Sequence, residues 1–165
     1  MGLLARLPPA LLLVLSAGCA RKQGAETAGA NLDTVTASVS DSLRISLIAP
    51  GEAPPGRSVP IVIRLENIGT RPMDLSLRGR TITFDILITR PDGEIVWQRL
   101  RDEVIPAIIQ LKVLQPGESL ELEAEWNQRD NNGKPVPSGI YSVRGSVLTD
   151  GPALETHTAS LRIGS

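Results

Sequence analysis

Residues 116–126 read PGESLELEAEW, and the period of that run decides the fold class. Leu120, Leu122, Ala124 and Trp126 share one parity, while Glu121, Glu123 and Glu125 share the other. That is the two-residue repeat of an extended strand with one wet face, since a helix would scatter the same glutamates around its circumference. Pro116 and Gly117 precede the run as a turn. The period recurs upstream in Leu43, Ile45 and Leu47, in Ile61, Ile63 and Leu65, and in Met73, Leu75 and Leu77. It continues through Ile82, Phe84, Ile86 and Ile88, through Ile95 and Trp97, and through Ile109, Leu111 and Val113. Downstream it returns in Tyr141, Val143 and Val147 and in Ala159, Leu161 and Ile163. In each run the apolar parity is expected to face the core. Pro91, Asp92 and Gly93 are expected to turn the Phe84 run back into a hairpin with Trp97. Short strands separated by Gly and Pro turns, with no helical period, predict an all-β, antiparallel β-sandwich of about 8–9 strands. A barrel shares the same alternation.

Composition limits what such a fold serves. The 165 residues are 41% hydrophobic and 21% charged, which suits one ordinary domain once a leader is set aside. A formal charge of −1 and a pI near 5.9 give no basic field for phosphates, so nucleic acid is excluded as an expected partner. The single cysteine rules out an internal disulfide.

That cysteine stands at the end of a short apolar leader. Residues 1–18 carry one positive charge at Arg6 and an apolar stretch from Leu7 to Leu15, then Ser16, Ala17 and Gly18 before Cys19. The layout is a signal peptide, and the apolar stretch is about half the ~20 residues that a spanning helix needs. Leu15-Ser16-Ala17-Gly18-Cys19 resembles the bacterial lipobox, which implies lipidation of Cys19 and a membrane partner through that lipid. An ordinary secretory cleavage near Gly18 or Ala20 is the alternative. Ala20, rather than aspartate, follows the cysteine, which implies the periplasmic face of the outer membrane in a diderm envelope. Residues 19–41 are rich in Ala, Gly, Thr, Ser and Asn and are expected to form a flexible tether, with the folded domain at 42–165.

Reactive chemistry is sparse. His157 is the only histidine, so no second imidazole or free thiol stands ready to share a zinc ion or build a triad. Its place beside the last apolar run makes it a rim residue. Glu121, Glu123 and Glu125 read as a solvated strand face. Gln128, Asp130, Asn132 and Gly133 follow the oxygen spacing of a calcium loop, but Gln128 and Gly139 occupy the positions where acidic ligands are needed. Asp, Asn and Gly also form tight turns unaided. No catalytic residue, metal or cofactor is therefore expected. The aromatics Phe84, Trp97, Trp126 and Tyr141 all lie on apolar parities and are expected to anchor the core.

The order Phe84-Asp85-Ile86, then Pro91-Asp92-Gly93-Glu94-Ile95-Val96-Trp97, resembles the BsuPI family of intracellular proteinase inhibitors. The resemblance strengthens through Leu114 to Leu120 and through Trp126-Asn127-Gln128-Arg129-Asp130-Asn131-Asn132-Gly133-Lys134-Pro135-Val136-Pro137-Ser138-Gly139-Ile140-Tyr141. It covers about Val59 to Leu148 and implies an immunoglobulin-like sandwich and proteinase inhibition. The shared residues are expected to be structural: Pro116 and Gly117 as a turn, Trp126 and Tyr141 in the core with Phe84 and Trp97, Asp130, Gly133 and Pro137 in a connecting loop, and Gly139 at a strand entry. No inhibitory residue is implied by the resemblance. The segments open to a partner are the loop Ala49–Arg57 and the stretch Leu100–Ile108, where Val104, Ile105 and Pro106 are expected to enter a proteinase cleft in extended form. The expected function is a membrane-anchored binding module directed at an envelope protein such as a subtilisin-like serine proteinase. A scaffolding envelope lipoprotein is the alternative.

Overall fold

In the computed structural model, which describes residues 32–38 and 40–164, every alternating run contributes a strand, with Ile82 left in the turn before the strand that starts at Phe84. The strands are β1 (Leu32–Ser38), β2 (Leu43–Pro50), β3 (Glu52–Ala53), β4 (Val59–Asn67), β5 (Met73–Arg78) and β6 (Phe84–Thr89). They continue as β7 (Ile95–Gln98), β8 (Ile109–Leu114), β9 (Ser119–Trp126), β10 (Gly139–Val147), β11 (Leu154–Glu155) and β12 (Ala159–Ile163). No helix occurs among the described residues. The leader, Cys19 and the first part of the expected tether lie outside the described residues.

One sheet runs β1-β2-β4-β9, antiparallel throughout. The other runs β3-β12-β10-β6-β7, with β11 also on β10 and the short β3–β12 contact parallel. The two face each other across one aliphatic core, as the alternation requires. Ile45, Leu47, Ile61, Ile63 and Leu65 come from one side, and Ile86, Ile88, Val143, Val147 and Leu161 from the other, all fully buried. Gly145 on β10 sets how near the sheets come, because a Cβ there would lie 2.6 Å from Ile63 Cδ1 and 3.3 Å from Leu47 Cδ1. At one end of the core the Trp126 ring meets Tyr141 edge to face, with centroids 5.7 Å apart and an interplanar angle of 66°.

β5 and β8 form a separate two-stranded ribbon. It hangs on the continuation of β10, where Arg78 N donates to Leu148 O at 2.9 Å and Asp150 N donates to Ser76 O at 3.0 Å. Leu75, Leu77 and Leu114 turn inward and close the core beneath it.

Three expectations change. The tether expected to reach Asp41 gives way to β1, which pairs with β2 from Leu32↔Pro50 to Ser38↔Arg44. Backbone pairing to an open strand edge, with only Val35 and Ala37 packed on the core, builds this strand, so its polar sequence gave no strong alternation. On β8 the apolar parity is reversed: Ile109, Leu111 and Val113 face solvent, and Leu111 is 79% exposed. Alternation tells which residues share a face, and here the buried Leu114 lies on the parity of Gln110 and Lys112. On β7, Ile95 points outward and Val96 is buried. A register irregularity between Ile88, which pairs with Trp97, and Thr89, which pairs with Ile95, leaves Val96 as the extra residue and Trp97 half-buried rather than a full core anchor.

Candidate functional site

The segment from Trp126 to Tyr141 works as a strap. Trp126 is fully buried, and its Nε1 donates to Arg129 O at 2.8 Å. Gln128 has a left-handed backbone (φ 56°), which aims its side chain across the molecule. Its Oε1 accepts from Gly56 N at 2.7 Å and its Nε2 donates to Pro54 O at 2.8 Å, so one buried amide replaces a strand partner for the proline-rich loop. The loop 49–57 is therefore pinned at its tip rather than free to reach outward.

Asp130 closes the strap. Its Oδ1 accepts from Asn132 N at 2.8 Å and Lys134 N at 2.9 Å, while Gly133 takes a positive φ of 80°. The Lys134 backbone N–H is the main cause that holds the Asp130 carboxyl below its ordinary value of 3.8. The carboxylate is thus engaged in a turn. Next to it, Asn131 caps the outer edge of β7: its N donates to Val96 O at 3.2 Å, its Oδ1 accepts from Gln98 N at 2.9 Å, and its Nδ2 donates to Gln98 O at 3.0 Å. The strap ends where Tyr141 OH donates to Pro137 O at 2.6 Å, the tyrosine-corner arrangement found in immunoglobulin-type sandwiches. Burial pushes the phenol up from 10.0, so it stays a donor. Gly117 (φ 78°) makes the expected turn before β9 and donates its N–H to Asn67 O at 2.8 Å. Gly139 differs from expectation, since a Cβ there would meet nothing nearer than Tyr141 Cε2 at 4.0 Å and its φ is not positive. Steric need does not explain that glycine.

Beyond β7 the chain enters residues 99–108, and its root is fixed. Asp85 accepts from Ile86 N and Leu100 N, both at 2.9 Å, and from Gln98 Nε2 at 2.6 Å. The Arg99 guanidinium lies 4.0 Å from the Phe84 ring centroid and donates to Phe84 O at 2.8 Å. The exit is held by Gly79 N donating to Ile108 O at 2.8 Å. Between these fixed ends, Asp102 takes a left-handed φ of 63° and redirects the chain. Val104 then stands 92% exposed, with Ile105 half-buried beside it. Pro106 favours an extended Ile105. The loop and residues 79–83 line a groove of about 410 Å³.

The structure thus brings Val104, Ile105 and Pro106 onto one raised loop and leaves Phe84, Trp97, Trp126, Asp130, Gly133, Pro137 and Tyr141 as the supporting frame. His157 is exposed at the rim. Glu121, Glu123 and Glu125 line a solvent face, where Glu121 pairs with Arg64 and Glu125 accepts from Ser58 Oγ at 2.9 Å. Three residues have supporting roles that the sequence did not assign: Asp85 and Asn131, which stand within the family-like stretches, and Gln128, whose spacing suggested only a calcium-loop position. Asp85 stands on β6 and Asn131 and Gln128 in the strap, and only tertiary neighbours show that each side chain replaces a backbone partner.

The family described as intracellular proteinase inhibitor, BsuPI, matches residues 49–151. No curated protein matches the chain. Among solved structures, the C-terminal domain of wzt aligns over 82% of this chain and 79% of its own, at 13% identity and a TM-score of 0.45. A β-glucosidase from Listeria innocua in complex with glucose aligns over 81% of this chain at 12% identity and a TM-score of 0.41, and the chain spans only 16% of that enzyme. The alkylpurine DNA glycosylase AlkC of Pseudomonas fluorescens aligns over 70% of this chain and 28% of its own, at 18% identity and a TM-score of 0.38.

Proposed function

The chain belongs to the BsuPI family of intracellular proteinase inhibitors, and on that premise we propose that it is a non-catalytic lipoprotein that inhibits a subtilisin-like serine proteinase at the cell envelope. The observation that carries the reading is Val104, 92% exposed on a loop whose two ends are fixed by Asp85, Arg99 and Gly79. An exposed aliphatic side chain on a preorganised extended segment loses little entropy when it enters a cleft. The Ile105–Pro106 peptide lacks an N–H, so one backbone bond that a proteinase would draw on is missing there.

The leader supports the anchored location. Cys19 with two acyl chains would hold the domain on its membrane, at ~0.8 kcal/mol for each buried methylene. On the outer-membrane side of a diderm envelope, the domain would face the periplasm.

The test is titration of residual activity. A panel of serine proteinases is mixed with the domain made without residues 1–20, and stoichiometric loss of activity of a subtilisin-type member is expected. Resistance to digestion with no inhibition of any member would refute the reading and leave a scaffold. For the anchor, wild type is expected in the membrane fraction and Cys19→Ser in the soluble fraction. Equal partition would refute lipidation.

A further inference from the structure

Among the described residues every sheet ends on an edge, and the edges are treated differently. β9 carries the exposed Glu121, Glu123 and Glu125, charges that repel a second strand. β7 is covered by Asn131, β3 is two residues long and runs into Pro54, and β1 is largely polar. β8 is six residues long and its one charge, Lys112, lies on the face opposite Ile109, Leu111 and Val113.

The main chain of β8 is open where its side chains are apolar. Ile108 O accepts from Gly79 N, so the alternate residues Gln110 and Lys112 direct their N–H and C=O groups toward β5. Ile109, Leu111 and Val113 direct theirs to the free edge, and among the described residues none of them has a main-chain partner outside its own ribbon. These three residues are also 38%, 79% and 44% exposed. A strand with open hydrogen-bonding groups and an apolar outer face is built to receive another strand.

We propose that β8 pairs with β8 of a second copy, antiparallel, with a two-fold axis through Leu111. In this register Leu111 opposes Leu111, and Ile109 opposes Val113 of the other copy, so all the open groups find partners. Pro106 and Pro116 stand equally far from Leu111, and they end the ladder at the same point on both sides. Moving the axis to Ile109 or Val113 would bring one of these prolines into the pairing. An axis at Lys112 would oppose two ammonium groups, whereas the proposed register sets Lys112 against Gln110. The flanking strands agree: Arg78 lies beside Ile109 and Asp74 beside Val113, so each outer row starts on a cation and ends on an anion. The product is a closed, four-stranded sheet across two protomers.

Sedimentation equilibrium of the full chain in density-matched detergent tests this. Wild type is expected as two chains per particle, and Leu111→Lys is expected to weaken the pairing about a hundredfold, because two leucines leave its centre and two cations meet there. A single chain per particle at the highest soluble concentration would overturn the proposal, as would a mass unchanged by Leu111→Lys. A folding defect in that variant is bypassed by cysteine pairing in a Cys19→Ser background. Leu111→Cys should form a disulfide between copies on mild oxidation, and Lys112→Cys should not. Equal cross-linking of both would refute the register.

Discussion

Replacing Asn131 with alanine should loosen the root of the exposed loop without touching the loop itself. The side chain supplies two hydrogen bonds to Gln98, at 2.9 Å from its N–H and 3.0 Å to its carbonyl. Each is worth about 1 kcal/mol net, and a stranded backbone group adds to the loss, so Asn131→Ala should cost about 2–3 kcal/mol. For a domain of this size, with Tm falling about 3–5 °C per kcal/mol, the expected drop is about 6–15 °C. Thermal unfolding measures the total, and amide hydrogen exchange locates it. Exchange should rise at Leu100 and Glu103, whose N–H groups bond Asp85 and Leu100 O, because Gln98 also holds Asp85 in place. Lys134→Ala in the same strap, with an exposed side chain that makes no hydrogen bond, should stay within about 0.5 kcal/mol of wild type. A change in Tm of less than about 1 °C for Asn131→Ala, or faster exchange confined to the strap, would refute the view that the strap holds the loop.

Gly145→Val should destabilise by about 1–3 kcal/mol in chemical denaturation, since its Cβ would crowd Ile63 and Leu47 where the sheets meet. A neutral result would mean that the sheets separate there at no cost. Tyr141→Phe removes the 2.6 Å bond to Pro137 O and should cost about 1–1.5 kcal/mol with the emission spectrum of Trp126 little changed. Asp130 has a folded pKa below its ordinary 3.8, so its stabilising effect is complete above that value and fades as pH falls through the lower folded value. Asp130→Asn should therefore flatten the acid limb of the stability curve, and an unchanged limb would show that the carboxylate charge plays no part in the turn.

The fold was legible because most strands bury one face, so the chain carries its own record of inside and outside. Ile61, Ile63 and Leu65, or Phe84, Ile86 and Ile88, point where their alternation says. Legibility failed where burial stopped being the organising force. β1 exists through backbone bonds to β2, and such bonds leave no trace in side-chain type. β8 alternates as well as any core strand but shows its apolar side to water, since period two does not say which face meets the core. At Ile95 a bulge broke the parity, and nothing in the local residues marks it. Within the candidate site, Val104, Ile105 and Pro106 stood out as apolar residues in a segment without alternation. Their supports Asp85, on β6, and Asn131, in the strap, were hidden, as was Gln128, which holds the 49–57 loop, because a side chain that stands in for a backbone partner is recognised only by what it reaches.

The central claim is that a fixed loop presents Val104 to a proteinase cleft. Inhibition constants for wild type and Val104→Asp against a subtilisin-type proteinase test it most directly, with Tm measured on both proteins. A carboxylate at the buried centre of a complex should weaken inhibition by about a hundredfold while Tm stays the same, because Val104 touches little of the domain. Equal constants for the two proteins would place the contact elsewhere and contradict the account.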